Sequence, residues 1–419
     1  MQDERLRLEI RQARSKFASM LVAYSLGVFN DNFFRQSAML IAVALGMGDR
    51  QGLLMFVFAL PYILIASQAG WLADRFSKRR IIISSKFLEL LAMVCGAAGI
   101  LTTSWPLLLA MVFVMGLQSA VFSPSLNGSI PELYPASYVR TAYAIVKAIV
   151  TAMILIGVAT SGLVLRQKSE VTDGLTLGRM LGATIIVLVS LIGLVGSFGV
   201  PRRPAADPNK KFPRTGPLRS IVGLWATRKD PLLGKAIAAN SFIWFIGALI
   251  IQVVNVFAAK EYFADEGIPS LLIAAEMIGV AIGAVLSTRI ARGRGWYSVL
   301  APAALVMTAM MVAMACTPLL PQRSQLAAMA VVLAAIGVPG GLFMVRCEAF
   351  FQVHPPPGNK GTVIAAANCA SFIGVLSAGI VAIPMVRYLS PAGGFAVMAG
   401  LALLVGIWLA LALPKAERT

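Results

Sequence analysis

Runs of about twenty apolar residues recur from one end of this chain to the other, and that recurrence limits the fold more than any motif does. Twelve runs lie near residues 17–46, 51–73, 81–103, 105–129, 137–165, 176–199, 233–259, 268–290, 296–317, 324–347, 361–387 and 392–413. Each has the length a helix needs to cross bilayer hydrocarbon, about 20 residues. Lipid offers no partner for backbone polar groups, so the runs are expected to be helices; barrel strands would alternate apolar and polar residues instead. Composition agrees. Of 419 residues 58 % are hydrophobic and 13 % charged, and the mean hydropathy is +0.81, far from a water-soluble globule. The expected fold is all-α and integral to a membrane, with twelve transmembrane helices.

The net charge of +18 raises nucleic acid as a partner, but its placement answers that. With loops assigned alternately to two sides, 25 of the 36 Lys and Arg residues fall on the side of both termini and seven on the other. Basic residues stay cytoplasmic, so both termini are expected there, and the excess is a topology signal with a possible contact to anionic lipid. Nucleic-acid binding is the poor explanation. Residues 1–16 are charged throughout and lack the apolar core of a secretory signal, so the first span is expected to insert by itself. Cys95, Cys316, Cys347 and Cys369 fall in apolar stretches without ligand spacing and read as packing residues. With His354 the lone histidine, neither metal nor cofactor is expected.

Residues 200–232 change in character. "PRRPAADPNKKFPRTGP" reads as a basic, proline-rich linker, and "LRSIVGLWATRKD" behind it as an amphipathic surface helix. Six runs precede the linker and six follow. The expected organisation is a cytoplasmic tail 1–16, a six-helix half 17–199, the linker 200–232, a second half 233–413 and a tail 414–419. Two such halves are the plan of a transporter built from repeats.

"GWLADRFSKRR" (Gly70–Arg80) lies at the turn between the second and third runs. It resembles the signature loop of the major facilitator superfamily: a glycine, an acid four residues on, then a basic cluster. The resemblance implies a role in conformational switching for Gly70, Asp74, Arg75, Arg79 and Arg80. Gly70 is expected to allow close helix approach, and Asp74 to cap the next helix or pair with a neighbouring helix end. A generic basic loop is the bland alternative. "GAVLSTRIARGRG" (Gly283–Gly295) is a weaker echo without the acid.

Eight ionisable residues stay inside the apolar runs: Arg35, Lys86, Lys147 and Arg346 against Asp31, Glu89, Glu276 and Glu348. Each costs about 2.5–3.5 kcal/mol at a helix centre on insertion scales, so such groups face a bundle interior or a wet cavity. Asp31/Arg35 at i,i+4 and Lys86/Glu89 at i,i+3 share helix faces and can neutralise each other. Structural ion pairing is the bland alternative, and the better one for Lys86/Glu89, placed near the cytoplasmic end of their run. Asn30, Asn32, Asn127, Asn240, Gln252, Asn255 and Asn368 add buried amides, each alone a helix–helix tie. Both charge signs among Phe, Met and Leu suit an amphiphile with a zwitterionic phosphate head group: Arg holds phosphate, Asp or Glu holds ammonium, and apolar walls take an acyl chain.

"FNDNFFRQSAMLIA", "AGWLADRFSKRR", "FSPSLNGSIPELYPASYVRTAYAIVKA", "IGVPGGLFMVRCEAFFQ" and "GTVIAAANCASFIG" together resemble the bacterial lysophospholipid transporters of the major facilitator superfamily. The resemblance implies flipping of lysophospholipids, lysophosphatidylethanolamine above all, from the outer to the inner leaflet of the inner membrane, for reacylation by a separate acyltransferase. It implies that Asp31 is a substrate-linked acid and puts Asn368 on the family's asparagine position; with the charges and amides read above, the expected substrate site is Asp31, Asn32, Arg35, Asn127, Lys147, Asn240, Arg346, Glu348 and Asn368. It also makes Glu132 a structural acid at the cytoplasmic end. Leu126 and Lys147 depart from the family pattern, which commonly has a lysine and an acid there. A monomer embedded among membrane lipids is expected, and no enzyme motif is present. The alternative reading is a proton-coupled exporter of cationic amphiphilic drugs or metabolites.

Overall fold

The computed structural model describes residues 2–172, 174–213, 216–261, 265, 267–289, 295–354 and 360–413. The echo loop's Ile290–Arg294 and the tail 414–419 lie outside the described residues. Fourteen helices run in order among those described: α1 (Gln2–Ala44), α2 (Gln51–Leu64), α3 (Ala66–Arg75), α4 (Lys78–Thr102), α5 (Trp105–Leu133), α6 (Ala136–Leu165), α7 (Leu177–Ser197), α8 (Gly216–Ala226), α9 (Pro231–Glu261), α10 (Gly267–Ser287), α11 (Leu300–Ala315), α12 (Gln322–Val353), α13 (Lys360–Tyr388) and α14 (Pro391–Ala412). Ten are long and apolar enough to cross a membrane, and the bent pair α2/α3 is so when its two helices are taken together as one span. The long α1 coincides with the remaining expected span. All twelve apolar runs thus fall on helices.

Two local features depart from uniform helix. The run 51–73 is broken at Ile65, with α2 and α3 bent by 52°. Pro61 lies in the last turn of α2, and the Ile65 amide donates to its carbonyl at 2.9 Å. A two-stranded antiparallel ribbon, β1 (Glu170–Thr172) and β2 (Leu175–Thr176), joins α6 to α7. Gly174 takes the left-handed conformation there (φ 71°), which costs glycine nothing.

The chain divides into two compact units. The first comprises Met1–Ile41 and Leu60–Arg219. Its core packs Phe17 and Met20 of α1 against Ile82 of α4, Phe122 and Leu126 of α5 and Val146 of α6. The second comprises Ala42–Ala59 and Ser220–Thr419, with a core of Ile237, Leu300, Phe343, Phe351, Val363 and Leu409. In that unit α10 and α12 meet backbone to backbone. A Cβ on Gly279 would strike Ala334, on Gly283 Val338, on Gly337 Glu276 and on Gly341 Val280. Four-residue spacing puts each glycine pair on one helix face, the small-residue seam by which helices associate in lipid without a hydrophobic drive between them. Gly70 does not do this: a Cβ there would meet nothing within 4 Å, so its expected role in close packing is corrected. Among the cysteines Cys347 and Cys369 are buried, whereas Cys95 and Cys316 are exposed and do not pack a core.

Candidate functional site

Successive residues of a helix turn by 100°, so the polar stretch of α1 cannot face one way. Asn30 Nδ2 donates to the Ile186 carbonyl of α7 at 2.9 Å. Asp31 turns to α5, where Ser119 Oγ donates to its carboxylate and Gln118 Nε2 donates at 3.4 Å. Asn32 Nδ2 returns to the Val28 carbonyl at 2.8 Å, and its Oδ1 accepts from Arg35 Nη2 at 2.6 Å. Ser37 meets Ser161 of α6 at 2.9 Å. One helix thereby addresses α5, α6 and α7 with hydrogen bonds that lipid could not supply. Asp31 and Asn32 are buried, while Arg35 remains partly accessible.

Beneath this stretch lies Lys86–Glu89 at 2.7 Å, both side chains 1 % exposed. The pair sits eight and eleven residues into α4, in the first half of that 25-residue helix, about 12–16 Å along the axis. Gly27 of α1 and Gly193 of α7 leave room for the Lys86 ammonium, which also lies 5.7 Å from the Phe122 ring centroid. Glu89, Lys86 and Arg35 are the charges that act on Asp31. With it they sum to zero, so the cluster is neutral as a group.

Ser119 begins a stripe. Ser119, Ser123 and Asn127 follow at four-residue spacing on α5, the two serines half-buried and Asn127 exposed. Asn127 Nδ2 donates to Ser123 Oγ at 3.3 Å, and Tyr143 Oη of α6 donates to the Asn127 carbonyl at 2.8 Å. Lys147 stands one turn beyond Tyr143. Asn127 and Lys147, expected inside the bundle, are exposed. The core face of α5 carries Phe122, Leu126 and Ile130, and Asn127 is rotated off it. Gln118, Ser119, Ser123 and Tyr143 do not stand out in the sequence; the i,i+4 spacing of the serines is the signal that finds two of them, Ser119 and Ser123.

In the second unit Asn240 Nδ2 donates to Ser371 Oγ at 3.0 Å, and Ser241 Oγ to the Ala370 carbonyl at 2.6 Å, tying α9 to α13. Arg346 is buried and donates from Nη2 to the Ser287 carbonyl of α10. Glu348 is half-buried, and Asn368, expected buried, is exposed because α13 packs through its neighbours Ala366, Ala367 and Cys369.

The basic loop is covered by the start of the linker. Asp74 is ion-paired to Lys210 and accepts the Asp207 amide on its carbonyl at 2.9 Å. It does not cap α4, whose N-cap is Ser77. Arg75 Nη1 donates to the carbonyls of Pro208 at 2.7 Å and Lys210 at 3.1 Å, and Trp71 Nε1 to the latter at 2.9 Å. Arg79 reaches the Val200 carbonyl at 2.5 Å. Glu132 at the end of α5 is ion-paired to Lys78, and its carbonyl accepts from Arg203 at 3.2 Å.

Comparison with known proteins accords with this arrangement. Residues 17–379 match the model of the Major Facilitator Superfamily. The chain is 25 % identical to "Lysophospholipid transporter LplT" of Escherichia coli O157:H7, over 93 % of this chain and 94 % of that one. It is also 25 % identical to the protein of that name from Salmonella arizonae, over 80 % and 79 %. The crystal structure of a D-xylose-proton symporter superposes with a TM-score of 0.71 at 15 % identity, covering 99 % of this chain and 100 % of the other. Multi-pass helices in this order and a matching family model over most of the length place the chain in the Major Facilitator Superfamily, as a membrane transporter.

Proposed function

We propose that this transporter moves lysophospholipids, of the lysophosphatidylethanolamine kind, from the outer to the inner leaflet of a bacterial inner membrane. The carrying observation is the Asp31–Ser119–Gln118 and Asn32–Arg35 network, charge-balanced within apolar helices. Its support is the likeness, along nearly the whole chain, to proteins named lysophospholipid transporters. In this reading Asp31 attracts the head group's ammonium and Arg35, the accessible member, takes its phosphate with a planar pair of donors. The stripe Ser123–Asn127 with Lys147 extends the polar surface along α5 and α6, while the acyl chain stays against apolar helix faces. Asn240, Arg346, Glu348 and Asn368 serve the head group from the second half.

The two six-helix halves, 17–199 and 233–413, alternate access to the site, with both termini cytoplasmic and the linker 200–232 between them. The Asp74 loop and its strap, Lys86–Glu89 and Glu132 set which state is stable. The transporter works as a monomer and delivers its product to a separate acyltransferase. Uptake of labelled lysophosphatidylethanolamine into cells lacking such a transporter tests this: the chain restores uptake and Asp31→Ala abolishes it. No restoration, or restoration indifferent to Asp31→Ala, overturns the reading.

One observation favours the second reading, proton-coupled export of cationic amphiphiles. Glu276 of α10 is a buried carboxylate on which no charged group acts among the described residues, the situation of a proton or cation site. Drug resistance on overexpression, lost in Glu276→Gln and without lipid uptake, would select it.

A further inference from the structure

A cavity of about 600 Å³ opens at the junction of α3, α4 and the linker, and five of its lining side chains are Arg75, Arg79, Arg80, Arg202 and Arg203. Its size falls in the ordinary range of ligand sites, about 300–1,000 Å³. No acid lines it, and acids on the adjoining segments are engaged elsewhere, Asp74 with Lys210, Glu132 with Lys78 and Asp207 with the Asn209 amide. Arg75, Arg79 and Arg203 are held by backbone carbonyls, which fix a guanidinium without cancelling its charge. Arg80 and Arg202 are exposed and make no hydrogen bond or ion pair among the described residues. Five like charges around one hollow repel each other unless an anion joins them.

Two further features give the hollow a chemistry. Ser77, on its wall, is the N-cap of the 25-residue α4 with its hydroxyl unspent on the cap. The positive end of that helix therefore faces the same space. Ser84 supplies a second hydroxyl two turns on, while Phe76 and Ile83 form an apolar side. Beside it Trp71 packs edge-on to Phe76 (5.8 Å) and to the half-exposed Phe212 (5.0 Å). Arginine forks with hydroxyls select phosphate oxygens, and accessible aromatics beside them suit a membrane interface.

We infer that this cavity is a binding site for a phosphate-bearing anion, presented by an anionic lipid head group or by a dissolved phosphate. The site is separate from the Asp31 network, and its occupant bridges the basic loop to the linker strap. The inference does not rest on the transport reading, since the test is binding. The full chain in neutral detergent is titrated with phosphatidylglycerol, phosphatidylcholine or inorganic phosphate at constant ionic strength while thermal unfolding is followed. A ligand of the folded state raises the midpoint.

Phosphatidylglycerol or inorganic phosphate raises the midpoint of the wild type; phosphatidylcholine does not. A shift with the lipid alone assigns the source to the membrane, and a shift with inorganic phosphate assigns it to solution. Arg80→Gln/Arg202→Gln weakens the apparent affinity tenfold or more, and Arg80→Lys/Arg202→Lys recovers part of it. Arg166→Gln/Lys168→Gln, which removes as many charges from the α6–α7 connection, leaves it unchanged. Equal shifts in the Gln double variant, or equal loss in the control, overturn the site. Should the double variant fail to fold, Arg202→Gln alone, on the linker, carries the same comparison with a smaller expected loss.

Discussion

Lys210 of the linker and Asp74 at the end of α3 form an ion pair across 136 positions of sequence. It is the visible knot of a strap in which Val200–Lys210 is laid over the signature loop and held by Trp71, Arg75 and Arg79. Both charged side chains are about two-fifths exposed, at 43 % and 41 %, so the pair contributes about 0–1 kcal/mol to global stability. Lys210→Gln therefore shifts the unfolding midpoint little, yet trypsin cuts the linker several-fold faster. The swap Asp74→Lys/Lys210→Asp slows cleavage again. Indistinguishable cleavage of all three proteins would mean that backbone contacts alone hold the strap.

Lys86–Glu89 is of a different kind, because neither charge reaches water. Removing one partner strands the other. Lys86→Met is expected to destabilise by about 3–5 kcal/mol, while Lys86→Met/Glu89→Leu recovers most of the loss. Unfolding in detergent of the wild type, the single variants Lys86→Met and Glu89→Leu, and the double variant measures the cycle. Additive losses would refute the coupling.

Ser119→Ala takes from Asp31 a hydrogen bond to a charged acceptor, an interaction worth about 1.5–3 kcal/mol. If Asp31 holds the head group, lysophospholipid uptake falls about tenfold or more with the protein still present in the membrane. Ser123→Ala, one turn further along the stripe, lowers it less. Uptake equal in Ser119→Ala and wild type would separate the carboxylate from transport.

The α10–α12 seam has no slack. Gly341→Ala puts a methyl group against the Val280 backbone, an overpacking that costs about 1–3 kcal/mol. Gly400→Ala in α14, where nothing lies within 4 Å, serves as the neutral control. A fall in folded yield for Gly341→Ala alone is the expected outcome of size-exclusion chromatography.

Asp230, just before α9, meets His354 at the end of α12 at 2.6 Å. Burial by itself would push its carboxyl up, but the Leu233 amide, the His354 ring and the Leu232 amide together hold it below the ordinary carboxylate value. A depressed carboxylate contributes stability that is complete above its unfolded value near pH 4 and lost as pH falls through the folded one. Wild type is thus more stable than Asp230→Asn above about pH 4, and the two converge in stronger acid. Melting curves from pH 3 to 6 decide it; a constant gap across that range would contradict the assignment.

Much of this molecule is legible along the chain. Spanning helices declare themselves by length and apolarity, because lipid leaves the backbone one way to satisfy itself. The twelve runs, the linker break and the basic loop are all local signals. Asp31, Asn32 and Arg35 stand out for the same reason: a charge in hydrocarbon is costly wherever it points.

What those groups touch was decided only by the tertiary structure. Spacing suggests that Asp31 leans on Arg35; in the fold Arg35 donates to Asn32, and Asp31 accepts from Ser119 and Gln118, which are ordinary residues until α5 is laid beside α1. Asn127, Lys147 and Asn368 read as buried because their neighbours are apolar, but a run's apolarity does not say which side of the helix packs. Gly70 looked like a contact and has none, while Gly279, Gly283, Gly337 and Gly341 are the contact. The five-arginine hollow is the clearest case, since two of its members lie more than 120 positions beyond the other three. Hydrophobicity acts on each segment alone and so is written in sequence; hydrogen bonds, close packing and charge convergence act between segments and exist only once the chain is folded.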